Sequence, residues 1–251
     1  MTQLVLSLFP GIGLLDMAFE LEGFCVVRGP DLLWGGDIRT FHPPAGRFNG
    51  VIGGPPCQLF SILKRLNPRA GEKHGNLIPE FERVVAEAFP SWFLMENVKD
   101  APLPNVLRYA MQYELLRDVW VGGETSRLRR FSFGSLDGRR LHVETLALHP
   151  VAEPAALAGG TGREVPVRLG GSGRPKRTTR DGRVVSSGPN PGARASLDEL
   201  IRKQGLPSDF LADAPFTERG KGHAIGNGVP LPMGRAIAKA VKRAVGPELA
   251  A

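Results

Sequence analysis

Gln3-Leu4-Val5-Leu6-Ser7-Leu8-Phe9-Pro10-Gly11-Ile12-Gly13-Leu14-Leu15-Asp16-Met17-Ala18-Phe19-Glu20-Leu21 is the stretch on which the fold turns. Gln3–Leu8 is an apolar run of strand length. It stops at Phe9-Pro10-Gly11-Ile12-Gly13, after which Leu14, Leu15, Ala18, Phe19 and Leu21 recur on one helical face. Strand, glycine turn and helix in that order open an α/β unit. Glycines at such a turn let the backbone pass close beneath a ligand, because they carry no side chain to clash. A tight βα connection explains the turn equally well. The full dinucleotide fingerprint is absent, so a pyrophosphate ligand gains no support, whereas a small adenosyl ligand is compatible.

The same alternation continues outward. Phe24–Val27, Gly50–Gly53, Ser91–Met95 and Leu128–Phe133 read as strands. Phe81, Val84, Val85 and Ala88 recur at helical spacing, with Pro79 suited to a first turn. From about Leu136 the pattern dissolves. Residues 151–194 are rich in Gly, Pro, Ala and Arg, with only scattered apolar pairs such as Val184-Val185, and read as a small loop-rich module with a few strands. Ser196-Leu197-Asp198-Glu199 is a capping box opening a helix through about Lys203. Pro232–Val245, with Met233, Ile237, Ala240 and Val241 in a stripe, reads as a final helix. The organisation expected is a domain over 1–136, a small region over 137–215, and a return to the first domain over 216–251.

At 251 residues the chain is long enough to bury a full core. It has no apolar run near the roughly 20 residues of a membrane span, so a cytoplasmic protein is expected. Cys25 and Cys57 are its two cysteines, with no metal-type spacing, and no metal is expected. The net charge of +7 is concentrated. Arg163, Arg168, Arg174, Lys176, Arg177, Arg180, Arg183 and Arg194 are opposed only by Glu164 and Asp181 over residues 161–194. A basic stretch of this kind suits a polyanionic partner, and also suits a solvated loop.

Four short strings carry the chemistry. Gly53-Gly54-Pro55-Pro56-Cys57-Gln58-Leu59-Phe60-Ser61 follows a strand, where an α/β sheet presents ligands. The two prolines restrict the backbone before Cys57, which suits a nucleophile held in position, although an isolated cysteine is more often a small core residue. Met95-Glu96-Asn97-Val98 puts a lone carboxylate at the end of an apolar strand, as a proton donor or as a turn cap. In Ser126-Arg127-Leu128-Arg129-Arg130-Phe131-Ser132-Phe133-Gly134, a strand would aim Arg127 and Arg129 at one place, either to favour a thiolate and bind a base carbonyl or to form surface ion pairs. Ala224-Ile225-Gly226-Asn227-Gly228-Val229-Pro230 reads alone as a Gly/Asn turn.

Taken in order, these strings resemble the motif series of the C5-cytosine DNA methyltransferases. The likeness covers about residues 4–134 and 196–244. It implies an α/β, Rossmann-like S-adenosylmethionine-dependent methyltransferase sheet with helices on both faces, plus a small loop-rich target-recognition region. It implies Cys57 as nucleophile, Glu96 as the acid over the base, and Arg127 and Arg129 as active-site arginines. S-adenosylmethionine would be held by Phe9, Gly11, Ile12, Gly13 and Leu14, by Asp31 and by Asp37 and Ile38. Gly54, Pro56, Leu77, Asn227, Gly228 and Val229 would complete that site. Leu14 stands where the family often has a glycine, Thr125 where a glutamine is usual, and Gly228 where Ser or Ala is common. The partner implied is double-stranded DNA, contacted by Gln58, Ser61, Lys64, Arg65, Arg174, Lys176, Arg177 and Arg180, with the polar loop from Phe60 to Asn76 closing over it. The compactness resembles phage-type or orphan members, and a monomer is expected. An RNA cytosine methyltransferase and a non-catalytic DNA-binding protein of the same fold are the competing readings. A nicotinamide-dependent dehydrogenase would leave the Pro-Pro-Cys and Glu-Asn-Val strings unexplained.

Overall fold

The computed structural model describes residues 2–56, 60, 75–146 and 196–246, together with two short strands at Lys176–Thr178 and Val184–Ser186. Strands β1 (Leu4–Leu8), β2 (Cys25–Arg28), β3 (Gly50–Gly53), β4 (Trp92–Asn97), β5 (Ala110–Arg117) and β6 (Leu128–Ser135) form one sheet in the order β2-β1-β3-β4-β6-β5. The first four run parallel, β6 is antiparallel to β4, and β5 is antiparallel to β6. Strands β7 (Lys176–Thr178) and β8 (Val184–Ser186) pair antiparallel as a separate ribbon. The helices are α1 (Leu14–Leu21), α2 (Ile78–Ala88), α3 (Leu197–Lys203), α4 (Glu218–Asn227) and α5 (Leu231–Val245).

Alternation along the central strands divides the core into two layers. Val5, Ile52, Leu94, Phe131 and Phe133 face Phe19 of α1 and Met233, Ile237 and Val241 of α5. Leu6, Leu8, Val51, Phe93 and Met95 face Phe81, Val84 and Val85 of α2. Helices therefore cover both faces, as expected. Trp92 anchors the first layer. Its ring lies across Gly50, stacks near Phe19 and Phe133, and its indole N–H donates to Gln3 Oε1 at 2.8 Å. A third cluster unites Leu14 with Leu200 and Ile201 of α3, Leu206, and Ile225 of α4.

Two elements were not anticipated. Strand β5 sits at the sheet edge and its side chains alternate, but with Met111, Tyr113 and Leu115 on the exposed side and Gln112, Glu114 and Leu116 on the covered one, so its sequence lacks an apolar-inward pattern. Helix α4 contains Gly220, Gly222 and Gly226, which disfavour a helix. It forms because Thr217 Oγ1 caps its start, accepting from Gly220 N at 3.1 Å, and because Ile225 is wholly buried. The expected Gly226-Asn227 turn is thus the last turn of a helix. The capping box at Ser196 forms as expected, with Glu199 N donating to Ser196 Oγ at 3.1 Å.

No helix of the described residues is long and apolar enough to cross a membrane.

Candidate active site

The expected site residues that are described gather beyond the carboxyl ends of β1, β3 and β4. Leu8 pairs with Gly53 and Gly53 with Met95, so the turns after these strands emerge side by side.

After β1 the chain turns sharply. Phe9, Gly11 and Gly13 all have positive φ, and Gly13 N donates to Pro10 O at 2.8 Å. A Cβ on Gly11 would meet nothing within 4 Å, so the backbone there faces open space. Asp31 braces the turn from the end of β2. Its Oδ2 accepts from Gly11 N at 2.8 Å and its Oδ1 from Leu33 N at 2.7 Å. A carboxylate has about four acceptor sites, so this leaves capacity for ligand hydroxyls. Trp34 was not singled out from the sequence. Its indole N–H donates to Gly11 O at 2.7 Å, its ring lies 5.8 Å from that of Phe216, and it stays 58% exposed. Nothing in the motif reading marks a tryptophan three residues beyond Asp31, and only its place against the turn reveals it.

Beneath the turn, Asp16 of α1 is fully buried. Ser7 Oγ donates to its Oδ1 at 2.5 Å and Arg28 Nε to its Oδ2 at 3.1 Å. Burial pushes the Asp16 carboxyl above its ordinary value, against the opposing pull of Ser7 and Arg28. The Arg28 guanidinium lies where a Cβ on Gly13 would stand, so only glycine fits there. Asp37 caps a short 3-10 turn, accepting from Arg39 N at 3.0 Å, and that hydrogen bond holds its carboxyl below the usual range. Ile38 is buried and Leu77 caps α2, so both face the core rather than open space.

Glu96 stands near the end of β4, and its Oε1 pairs with Arg129 Nε at 2.7 Å. Glu96 and Arg129 pair because β4 and β6 are antiparallel neighbours, with Glu96 opposite Phe131. Their side chains are 12% and 18% exposed. A Cβ on Gly54 would come within 3.1 Å of Glu96 Oε2, so the turn after β3 runs beside this carboxylate. Asn97 Nδ2 donates to Pro55 O at 3.2 Å and ties the two together. Cys57 follows Pro56 directly in the sequence. It lies outside the described residues, as do Gln58, Ser61, Lys64, Arg65, Arg174 and Arg180, and the loop expected to close over DNA apart from Phe60, Gly75 and Asn76. Lys176 and Arg177 fall on β7.

Among the described residues the two arginines have different partners. Arg127 is buried just before β6, where its Nη1 donates to Gly226 O at 2.9 Å and its Nη2 to Asn227 O at 3.4 Å. It ties the sheet to the end of α4. The reason is local: Asp118 and Thr125 form a turn that starts the strand only at Leu128, so strand alternation does not govern Arg127.

The departures at Leu14 and Gly228 meet in space. A Cβ on Gly228 would lie 2.4 Å from Leu14 Cδ1, an overlap no structure tolerates. The leucine occupies the volume that a Ser or Ala at 228 would need.

A cavity of about 540 Å³ lies elsewhere. It is bordered by Val121, Leu146, Leu231, Arg235, Lys239 and Arg243, on the outer side of α5, and none of the residues above lines it.

Residues 35–119 match the family described as C-5 cytosine-specific DNA methylase. The Type II methyltransferase M.AquIA of Picosynechococcus sp. is 36% identical over 125 aligned positions, covering 39% of this chain and 50% of that relative. M.MthTI of Methanothermobacter thermautotrophicus is 25% identical over 324 aligned positions, covering 95% of this chain and 97% of its own. The chain thus spans half of one curated relative and nearly all of another. Among solved structures, an E. coli prophage protein assigned as a DNA modification methyltransferase superposes with a TM-score of 0.64 at 16% identity, covering 98% of this chain and all of that one. The S. pombe Dnmt2 methyltransferase gives 0.58 at 13% identity, over 97% of this chain and 99% of that one. The strings around Pro55 and Glu96, their meeting at one sheet edge and these likenesses agree: the chain is similar to the C-5 cytosine-specific DNA methylases, whose family model matches residues 35–119.

Proposed function

We propose that the protein transfers a methyl group from S-adenosylmethionine to C5 of a cytosine flipped out of double-stranded DNA, through a covalent bond between Cys57 and C6. The observation that carries this reading is the Glu96–Arg129 ion pair beside Gly54, on the turn that leads through Pro55 and Pro56 to Cys57. When bound, S-adenosylmethionine supplies a methyl group made electrophilic by its sulfonium. The open backbone at Gly11, the spare acceptor capacity of Asp31 and the exposed face of Trp34 suit its adenosyl part.

C5 of cytosine is a weak nucleophile until the ring is activated. The Cys57 thiolate adds to C6 while Glu96 supplies a proton at N3, which turns C5 into an enamine-like carbon. C5 takes the methyl group, the sulfonium sulfur departing as a neutral thioether; the C5 proton leaves to water, and expulsion of the Cys57 thiolate with return of the N3 proton to Glu96 restores the ring. Arg129 holds Glu96 in place and stabilises charge that develops on the base oxygen. Arg127, which donates to Gly226 O and Asn227 O, supports the scaffold.

Flipping the base costs a few kcal/mol of stacking and pairing. Phosphate contacts from the basic 161–194 segment, including Arg174, Lys176, Arg177 and Arg180, offset that cost and make binding steeply salt-dependent. The same region, within 137–215, reads the target sequence.

Expression in a host that lacks cytosine methylation, followed by bisulfite sequencing of its genome, tests activity and site together. Wild type should produce 5-methylcytosine in one sequence context, and Cys57→Ala should produce none. DNA oligonucleotides carrying 5-fluorocytosine should be captured covalently with the methyl donor present. Capture of RNA instead of DNA would overturn the substrate, and capture by Cys57→Ala would overturn the nucleophile.

A further inference from the structure

At the end of α4, four consecutive carbonyls from Ile225 to Gly228 accept hydrogen bonds from side chains, and Ile225 O also accepts from Gly228 N at 3.1 Å. Two buried side chains from opposite sides take them. Gln204 Nε2 donates to Ile225 O at 2.6 Å and to Gly228 O at 3.3 Å. Arg127 takes the two between, Gly226 O and Asn227 O. Gln204 also accepts, through its own main-chain oxygen, from Leu231 N at 2.8 Å, which pins the start of α5. Its side chain is 1% exposed, and the adjoining Gly205 has positive φ and packs against Pro232. The Ile225–Gly228 turn is therefore gripped from both sides and pressed onto Leu14, at the start of α1.

We infer that Gln204 is a positioning residue for cofactor binding. It holds the Asn227-Gly228 turn against the Leu14 end of the glycine turn, so that both edges of the adenosyl site keep their spacing. This rests on the S-adenosylmethionine reading above. Gln204 caps the C-terminal end of α3. Gln204 does not touch the reacting atoms.

The test uses the full-length protein with S-adenosylhomocysteine as the probe. Gln204→Met keeps the length and removes both donors; Gln204→Glu keeps the shape and sets a carboxylate against two carbonyls. Each lost hydrogen bond is modest, so Gln204→Met should weaken S-adenosylhomocysteine about tenfold, and Gln204→Glu should weaken it more. Methyl transfer at saturating cofactor should stay within about twofold, which places the defect in KM rather than kcat. Independently of ligand, amide hydrogen exchange at Gly226–Val229 should quicken in apo Gln204→Met. A folded Gln204→Met with wild-type exchange and wild-type affinity would overturn the inference, as would a fall in kcat at unchanged KM. Wild type supplies a second measurement that needs no variant. Adding S-adenosylhomocysteine should slow exchange at residues 203–206 and 226–229 together, and independent responses would also overturn it. Failure of wild type to bind S-adenosylhomocysteine at all would instead strike the cofactor reading, while the apo exchange data would still judge the clamp.

Discussion

Two carboxylate–arginine pairs stand some distance apart in this chain's site, and they differ in what surrounds them. Asp16 lies under the glycine turn with both oxygens already engaged, by Ser7 and Arg28, and no solvent reaches it. Glu96 also meets an arginine, but its second oxygen faces the Gly54 turn and the pair keeps some exposure. The first pair holds a loop in shape, whereas the second leaves an oxygen for something outside the protein. An acid beside an arginine says little until its remaining acceptor sites are counted.

The sharpest way to break this contrast is to remove the acid of the second pair. Glu96→Ala should lower methyl transfer by about 10²–10⁴-fold, the range for a lost proton-transfer group, with little change in melting temperature. A large loss of stability with modest loss of turnover would reverse the assignment. Arg129→Ala should follow it, with kcat falling about 10²-fold or more. Arg127→Ala should behave like the Asp16 side of the comparison. It strips donors from Gly226 O and Asn227 O, so the expected result is about 1–3 kcal/mol of lost stability in denaturant unfolding, larger than any direct change in kcat.

A finer test uses the Leu14–Gly228 contact. Gly228→Ala alone should destabilise by about 1–3 kcal/mol through overpacking, and Leu14→Ala in the same molecule should restore most of that loss. Additive effects in the double variant would show that the two positions are independent. The smallest effect concerns pH. Asp16 titrates at 3.8 when unfolded and higher when folded, so the native state binds the extra proton within that window. Stability should therefore fall as pH rises from about 4 through the folded value. Asp118 is pushed the same way by burial, so Asp16→Asn should flatten only part of the slope. An unchanged slope in Asp16→Asn would remove Asp16 from the account.

The parallel half of the sheet was legible because its strands are buried on both faces and read as continuous apolar runs, as at Leu4–Leu8 and Trp92–Met95. The antiparallel edge was not. Strand β5 is solvated along Met111, Tyr113 and Leu115, while Gln112 and Glu114 take the covered side, so its apolar residues do not mark the face that burial imposes. Local glycine content hid α4, whose existence depends on Ile225 finding Leu14, Leu200 and Ile201 from distant parts of the chain. Among site residues, the motif strings pointed to Glu96 and the glycine turn. The partners that fix them could not be read from spacing. Trp34, Gln204 and the separate errand of Arg127 all arise from contacts across tens of residues or more.

The interlock of Leu14 with Gly228 also constrains how such a chain can have changed over time. An alanine arriving first at 228 would collide with the leucine, whereas trimming the leucine first would open a cavity beside Leu200 and Ile201. Either single step therefore costs stability, and the two positions change most easily together. Grafting the last motif from a relative into this scaffold would need position 14 to travel with it.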